Sequence, residues 1–235
     1  MSLQELMANI DKSIDVNKLD IELFTLALTH SSYAIDNSLG KLANNERLEF
    51  YGDSVLKLAC SKFLYETFPN EREGLLSSYR SILVSDAFLA KYATEINLKK
   101  YINVSNRPDL KTQRAEESIS ACAFEAVLGA LFMQVGFDVV YSFLNRFFVS
   151  YLPFVKENLQ KINAKATLQE FTQNKSKILP EYELIAEEGA DHNKLFYVQV
   201  KYLNNIVGEG KAHSKKEAEQ VAAYNACVKL GVLNE

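Results

Sequence analysis

Residues Asn45–Leu56, with the sequence NERLEFYGDSVL, place three carboxylates at helical spacing. Glu46 and Glu49 are three residues apart, and Asp53 follows Glu49 by four, so a helix would present all three on one face. Like charges at these spacings destabilise a helix by roughly 0.2–0.5 kcal/mol per pair. A bound divalent cation offsets that repulsion, and carboxylate oxygens suit Mg²⁺. The pattern predicts a metal site, with a solvated acidic face as the alternative.

The neighbours of these carboxylates favour the metal site. Leu48, Val55 and Leu56 are apolar and would seat the helix in a protein core. The segment closely resembles the signature of ribonuclease III, a metal-dependent endonuclease of double-stranded RNA. The resemblance implies a nuclease domain built around this helix.

Length and composition are those of a folded chain with one or two domains. The chain has 235 residues, 48% of them hydrophobic, and a formal net charge of −4. Domains that bind nucleic acid are often strongly basic. Any contact with RNA is therefore expected to come from local basic patches.

Cysteine usage and the apolar segments point to the cytoplasm. Cys60, Cys122 and Cys227 lie far apart without metal-ligand spacing, which indicates a reducing compartment. The first residues lack the basic and apolar regions of a signal peptide. Between Val127 and Val155, polar residues cut the apolar run below the ~20 residues that a membrane span needs. We expect a buried helical hairpin there and no membrane partner.

Two segments of different character follow one another. From Ile21 to about Lys161, apolar residues recur at three- and four-residue spacing, which predicts an all-α domain. The polar stretch Lys156–Lys165 is interpreted as a short connector. We therefore expect a nuclease domain at residues 1–160 and a second domain at residues 161–235.

The second segment combines helices with strands. Thr167–Phe171 is helical in pattern, and Ser214 with Glu217 has the S-x-x-E form of a capping box that opens a final helix. Alternating apolar residues between them predict three strands, at Tyr182–Ala186, Leu195–Tyr202 and Asn205–Gly210. The expected fold is an all-α endonuclease domain followed by a small α+β domain of order α-β-β-β-α.

A further carboxylate lies in an apolar helical segment. Buried glutamates are uncommon unless they are paired or bind metal, so Glu125 is a candidate ligand, with a place on the outer side of the helix as the alternative. In ribonuclease III the similar helix carries an Asp and a Glu three residues apart. The Glu matches Glu125, but Cys122 occupies the Asp position. Sulfur in place of a hard oxygen should weaken Mg²⁺ binding.

The resemblance implies roles for the acidic residues. The catalytic residues would be Asp53, Glu125, Glu46 and Glu73. The metal ligands would be Glu49, Asp53, Cys122 and Glu125. The expected cofactor is Mg²⁺, with Mn²⁺ as a substitute, and the expected reaction is phosphodiester hydrolysis that leaves 5′-phosphate and 3′-hydroxyl ends.

The C-terminal segment resembles the double-stranded-RNA-binding domain that follows the nuclease domain in bacterial ribonuclease III. Duplex RNA is read there mainly by shape, through ribose hydroxyls and phosphates. The matching positions are Gln169, Glu170, His192, Lys215 and Lys216, and Lys211 and His213 extend the basic patch. Without the resemblance, these residues would be interpreted as ordinary solvated surface.

Phe50 lies among the signature carboxylates. In the family its counterpart inserts into a socket on a second nuclease domain, which implies a homodimer that cuts both strands of a duplex. The alternative is an ordinary core phenylalanine.

Three classes of function are compatible with these patterns. The favoured one is a ribonuclease III-type endoribonuclease that processes structured precursor RNAs such as ribosomal RNA. The second is a catalytically weakened protein that binds double-stranded RNA, because Cys122 replaces a metal-ligand Asp. The third, a structural component of an RNA–protein particle, would be expected to have lost the whole carboxylate cluster, and this chain retains it.

Overall fold

A computed structural model describes residues 3–189 and 194–233 of the chain. The chain divides into two compact units, Met1–Val155 and Lys156–Glu235. The first unit is helical, as the sequence predicts. Its helices, the last of which continues beyond Val155, are α1 Leu3–Ile10, α2 Ile21–Ala27, α3 Ser31–Asp36, α4 Glu46–Thr67, α5 Glu73–Leu83, α6 Asp86–Glu95, α7 Gln113–Val135 and α8 Phe137–Ile162.

Helix α7 forms the centre of the first unit. It packs against α2, α4 and α6 and buries residues on most of its circumference. Among the described residues, α7 is the helix long and apolar enough to cross a membrane, but 61% of its most apolar window is buried within the protein. The ring of Phe124 lies 5.9 Å from that of Phe143 on α8. The predicted buried hairpin of α7 and α8 is therefore confirmed.

Two glycines allow α4 and α7 to cross at very short distance. A Cβ atom at Gly52 would lie 1.8 Å from the carbonyl oxygen of Glu125, and one at Gly129 would lie 2.6 Å from the carbonyl oxygen of Leu48. No side chain fits at such distances, so the two backbones touch directly. The crossing sets the faces of the two helices that carry the acidic residues against each other.

The predicted connector at Lys156–Lys165 is wrong. Helix α8 continues past Pro153 to Ile162, and the next helix begins at Ala164 after a single intervening residue, Asn163. The residues after Val155 are polar, but lysine, glutamate and glutamine favour helix, so loss of apolar periodicity marks an exposed helix rather than its end. The domain boundary after residue 160 stays a prediction.

The second unit has the predicted α-β-β-β-α order. Its elements are α9 Ala164–Ser176, β1 Glu181–Glu188, β2 Leu195–Tyr202, β3 Asn205–Ala212 and α10 Lys215–Lys229. The strands form one antiparallel sheet in sequence order, and α10 packs against β2, β3 and α9. Val198, Val200 and Tyr202 are buried on one face of β2, which confirms the predicted alternation.

Ser214 caps the last helix as predicted. Its side chain accepts a hydrogen bond of 3.2 Å from the backbone N–H of Glu217. This cap fixes where α10 starts. The two lysines that follow are therefore held in the first turn of the helix.

Replacing Gly52 by alanine should break the helix crossing. The added methyl group collides with backbone rather than with a movable side chain, so Gly52→Ala should lower the free energy of unfolding by about 3 kcal/mol or more. Gly74→Ala, in α5, is the matched control because nothing lies within 4 Å of its added Cβ. Urea unfolding followed by helical circular dichroism compares the two; equal stability would contradict the direct backbone contact.

Candidate active site and RNA-binding surface

The helix crossing brings together residues from two helices. Glu49 and Asp53 lie on the same face of α4, and Cys122 and Glu125 lie on the same face of α7. All four residues are half-buried. Because the Glu125 backbone lies directly against Gly52, these side chains share one small region at the crossing.

The electrostatics of Glu125 reflect this convergence of charge. Burial raises the pKa of its carboxyl to about 8, and the negative charges of Asp53 and Glu49 contribute to the same shift. Lys57 acts in the opposite direction. Near neutral pH the metal-free protein therefore holds a proton on Glu125, which a bound cation would displace.

Cys122 is a neutral member of this group. Burial raises the pKa of its thiol to about 12, and Glu49 adds to the shift through its charge and through a hydrogen bond. An aspartate at this position would bring a negative charge and two hard oxygens. The thiol instead brings a protonated sulfur.

Two residues that the sequence analysis missed complete the site. The Lys57 Nζ atom lies 2.7 Å from the Asp53 Oδ2 atom, as a pair four residues apart on α4. Asp86, in the first turn of α6, acts electrostatically on both Glu125 and Cys122. The Asp53–Lys57 spacing is visible in the sequence, whereas Asp86 has no local signal because packing alone brings its helix to α7.

Glu46 and Glu73 have other neighbours. Glu46 is exposed at the start of α4, and its backbone N–H donates to the Asn44 side chain over 3.2 Å. Glu73 is exposed at the start of α5, and its carboxylate accepts a hydrogen bond of 2.6 Å from the Ser77 hydroxyl. The structure does not bring these two carboxylates into the inner group.

The inner group has the chemistry of a site for a hard divalent cation. Within residues 3–189 and 194–233 of the metal-free structure, no group of three or more His, Cys, Asp or Glu side chains is arranged to hold a metal ion. Mg²⁺ does not need one, because it keeps several waters and uses one or two carboxylates. Glu49, Asp53 and Glu125 supply such oxygens, and burial together with the negative charges of Asp53 and Glu49 raises the pKa of Glu125.

A basic patch surrounds the start of α10. Lys211 near the end of β3, and Lys215 and Lys216 in the first turn of α10, are all exposed. The free N–H groups and the dipole at a helix start favour phosphate. His213 belongs to the same patch, and its Nδ1 atom lies 3.3 Å from the Lys194 carbonyl oxygen.

Two of the other predicted RNA contacts lie on α9. Gln169 and Glu170 are exposed on α9. His192 lies outside the described residues. The solvated positions of the first two are those that a nucleic-acid contact requires.

Phe50 is not a core residue. Its side chain is 79% exposed, and it borders an apolar groove. The apolar residues that line this groove with it are Leu23, Leu26, Leu42, Leu48, Tyr51 and Met133. An exposed phenylalanine beside a groove of this character is typical of a surface that contacts another protein.

Sequence families divide the chain in the same order. Residues 20–152 match the family described as Ribonuclease-III-like. Residues 164–230 match the family described as double-stranded RNA binding motif.

Curated relatives are similar over nearly the whole chain. "Ribonuclease 3" of Desulfotalea psychrophila is 42% identical over 224 residues, which is 95% of this chain and 92% of that protein. "Ribonuclease 3" of Borreliella burgdorferi is 41% identical over 94% of this chain and 89% of that protein.

A solved structure matches the first unit. The nuclease domain of ribonuclease III from Campylobacter jejuni, described for flexibility in the region involved in dimer formation, is 31% identical with a TM-score of 0.55. The match covers 65% of this chain and 99% of that one.

The raised pKa of Glu125 predicts a pH-dependent cost to stability in the metal-free protein. The folded state holds this proton up to about pH 8, whereas an unfolded glutamate loses it near pH ~4.3. The folded state binds more protons between these values, so the carboxyl lowers stability as pH rises through that window. The free energy of unfolding of Glu125→Gln should therefore equal that of the wild type near pH ~4.3. Above about pH 8 it should be higher than that of the wild type by roughly 1–2 kcal/mol, a value that allows for solvent screening.

Thermal unfolding with EDTA across this pH range measures the difference. Glu117→Gln is the control, since Glu117 is an exposed residue of the same helix. A constant difference between Glu125→Gln and wild type at all pH values would contradict the raised pKa.

Proposed function

Because the chain belongs to the ribonuclease III family, we propose that it cleaves double-stranded RNA by metal-dependent hydrolysis of phosphodiester bonds at the crossing of α4 and α7. It is a ribonuclease III-type endoribonuclease with a double-stranded-RNA-binding domain. The observation that carries the metal proposal is the convergence of Glu49, Asp53 and Glu125, with a pKa of about 8 at Glu125.

Each inner carboxylate has a task in the proposed reaction. One or two of the carboxylates of Glu49, Asp53 and Glu125 would bind Mg²⁺, or Mn²⁺ in its place, directly through oxygen, and the remainder would bind through the waters that the ion keeps. When bound, the metal supplies an activated water and stabilises charge on the phosphate and the leaving oxygen, which gives 5′-phosphate and 3′-hydroxyl ends. Glu46 and Glu73, whose carboxylates are exposed at the starts of α4 and α5, would support the reaction from outside the inner group.

Cys122 makes this site weaker than one with a fourth carboxylate. Its protonated thiol offers no negative charge to the metal, although it occupies the position of a ligand. Loss of a supporting group around a metal typically costs ~10–100-fold in affinity or activity. The second candidate function, a duplex-RNA-binding protein that cuts poorly, rests on this residue alone.

The RNA-binding domain would hold the substrate at three places. Gln169 and Glu170 on α9 contact the minor groove, and His192 contacts the next minor groove. The basic patch of Lys211, Lys215 and Lys216 binds the phosphates between them. Exposure of the described residues and the helix start at Ser214 support this arrangement.

The proposed substrates are structured precursor RNAs such as ribosomal RNA, in the cytoplasm. Three widely spaced cysteines that are free in the structure suit a reducing compartment. Duplex segments within longer transcripts are the shape that the RNA-binding domain reads.

We also propose that the active form is a homodimer. Phe50 projects from α4 beside an apolar groove, so the surface offers both a projecting side chain and a place to receive one. The similar nuclease domain from Campylobacter jejuni has a region involved in dimer formation. Two copies related by a two-fold axis would give one site for each strand of a duplex.

Cleavage of a plain RNA duplex tests the proposed function. The wild type should cut with Mg²⁺ or Mn²⁺ and stop with EDTA, and Asp53→Asn should cut at least ~100-fold more slowly while still binding the duplex. Cys122→Asp should raise the Mg²⁺-supported rate by about tenfold or more.

Variants of the basic patch separate binding from cutting. Lys215→Ala combined with Lys216→Ala should weaken duplex binding and reduce its dependence on salt, whereas Lys229→Ala at the other end of α10 is the control.

Cutting that persists in Asp53→Asn would refute the metal proposal. If the wild type binds the duplex tightly without cutting it, and Cys122→Asp restores cutting, the second candidate function, a duplex-RNA-binding protein that cuts poorly, would be established instead.

Phe50→Ala should weaken the dimer. Loss of a central aromatic anchor typically costs at least about 2 kcal/mol, so the dissociation constant should rise by about 30-fold. Tyr65→Ala is the control, because Tyr65 is also exposed on α4 and does not line the groove. Sedimentation equilibrium measures both variants, and a dimer unchanged by Phe50→Ala would contradict this interface.

A further inference from the structure

Helix α4 carries two ion pairs, which run in opposite order along the chain. Lys57 pairs with Asp53, and Lys62 pairs with Glu66, each with partners four residues apart. The second pair belongs to a different neighbourhood, where Glu66 also accepts a hydrogen bond from Tyr141. The first pair uses a proposed metal ligand.

Lys57 is bound directly to the inner group. Its Nζ atom is 2.7 Å from the Asp53 Oδ2 atom, which is the distance of a charge-assisted hydrogen bond. Lys57 is therefore in direct contact with a carboxylate that α4 contributes to the helix crossing.

The ammonium and a metal ion would compete for the same oxygen. A divalent cation bound by Asp53 would lie within a few ångströms of the Lys57 charge, and like charges at such distances repel each other strongly in a partly buried site. The Lys57 side chain is 54% exposed. It can therefore swing into solvent, but doing so costs the ion pair.

We propose that Lys57 pairs with Asp53 in the metal-free enzyme and thereby raises the metal concentration needed to fill the site. This inference rests on the proposed function, because it takes Asp53 as a metal ligand. Lys57 and Cys122 then act in the same direction: one adds a positive charge beside the inner carboxylates, and the other removes a negative one.

Direct metal binding to the full chain tests the proposal without relying on cleavage. Free Mn²⁺ is measured by electron paramagnetic resonance during titration of metal-free wild type and Lys57→Met. The variant keeps the length of the side chain but loses its charge, so the dissociation constant should fall about three- to tenfold. This gain should shrink as KCl increases, because salt screens the repulsion.

Two control variants isolate the charge at this position. Lys62→Met removes the matching ion pair from the same helix, and it should leave the dissociation constant within about twofold of wild type. Lys57→Arg keeps the positive charge and should bind Mn²⁺ like the wild type. Circular dichroism confirms that each variant is folded.

The outcomes of the Mn²⁺ titrations distinguish failure of the role proposed for Lys57 from failure of the proposed metal site. Wild type that binds Mn²⁺ more tightly than Asp53→Asn, with Lys57→Met gaining affinity, supports both. If the wild type binds Mn²⁺ more tightly than Asp53→Asn but Lys57→Met binds it no more tightly than the wild type, the role of Lys57 is overturned. The metal site itself is then still supported. Equal binding by wild type and Asp53→Asn overturns the metal site itself and the role of Lys57 with it.

Discussion

Everything in the proposed active site depends on the direct backbone contact between α4 and α7. Gly52 and Gly129 lack the side chains that would hold the two helices apart, and a Cβ on Gly52 would lie 1.8 Å from the Glu125 carbonyl oxygen. Apolar packing on both helices supplies the stability that keeps this crossing closed. The acidic faces of both helices are then forced into one half-buried region, whatever their mutual repulsion.

Burial and that repulsion together explain the character of the individual residues. They raise the pKa of Glu125 to about 8, and the Asp53 carboxylate pairs with Lys57. A thiol at position 122 reduces the crowding of negative charge, but it gives up hard oxygen ligands for a metal. In the metal-free site, the proton on Glu125, the charge of Lys57 and the neutral sulfur of Cys122 thus reduce the repulsion among the carboxylates. Each of these lowers the tendency of the site to draw in a cation.

Some of this architecture follows from local sequence and some does not. The spacing of Glu49 and Asp53 and the alternation along β2 are local patterns, and the structure places them as the sequence predicts. The connector after Val155 was predicted wrongly because polarity does not end a helix. Asp86 reaches the site only through packing of α6 on α7, so no pattern near it in the sequence could predict its place. Only the family resemblance showed that Cys122 stands where ribonuclease III has an Asp, because the surrounding sequence gives no sign of a missing carboxylate.

The most direct test of this account is the position of a bound metal. A crystal grown with Mn²⁺ and examined by anomalous scattering should contain a peak between α4 and α7, about 2.0–2.2 Å from carboxylate oxygens of Asp53 and Glu125. Lys57 should then have moved away from Asp53. A peak elsewhere, or none at the crossing at saturating Mn²⁺, would contradict the claim that these helices form the metal site.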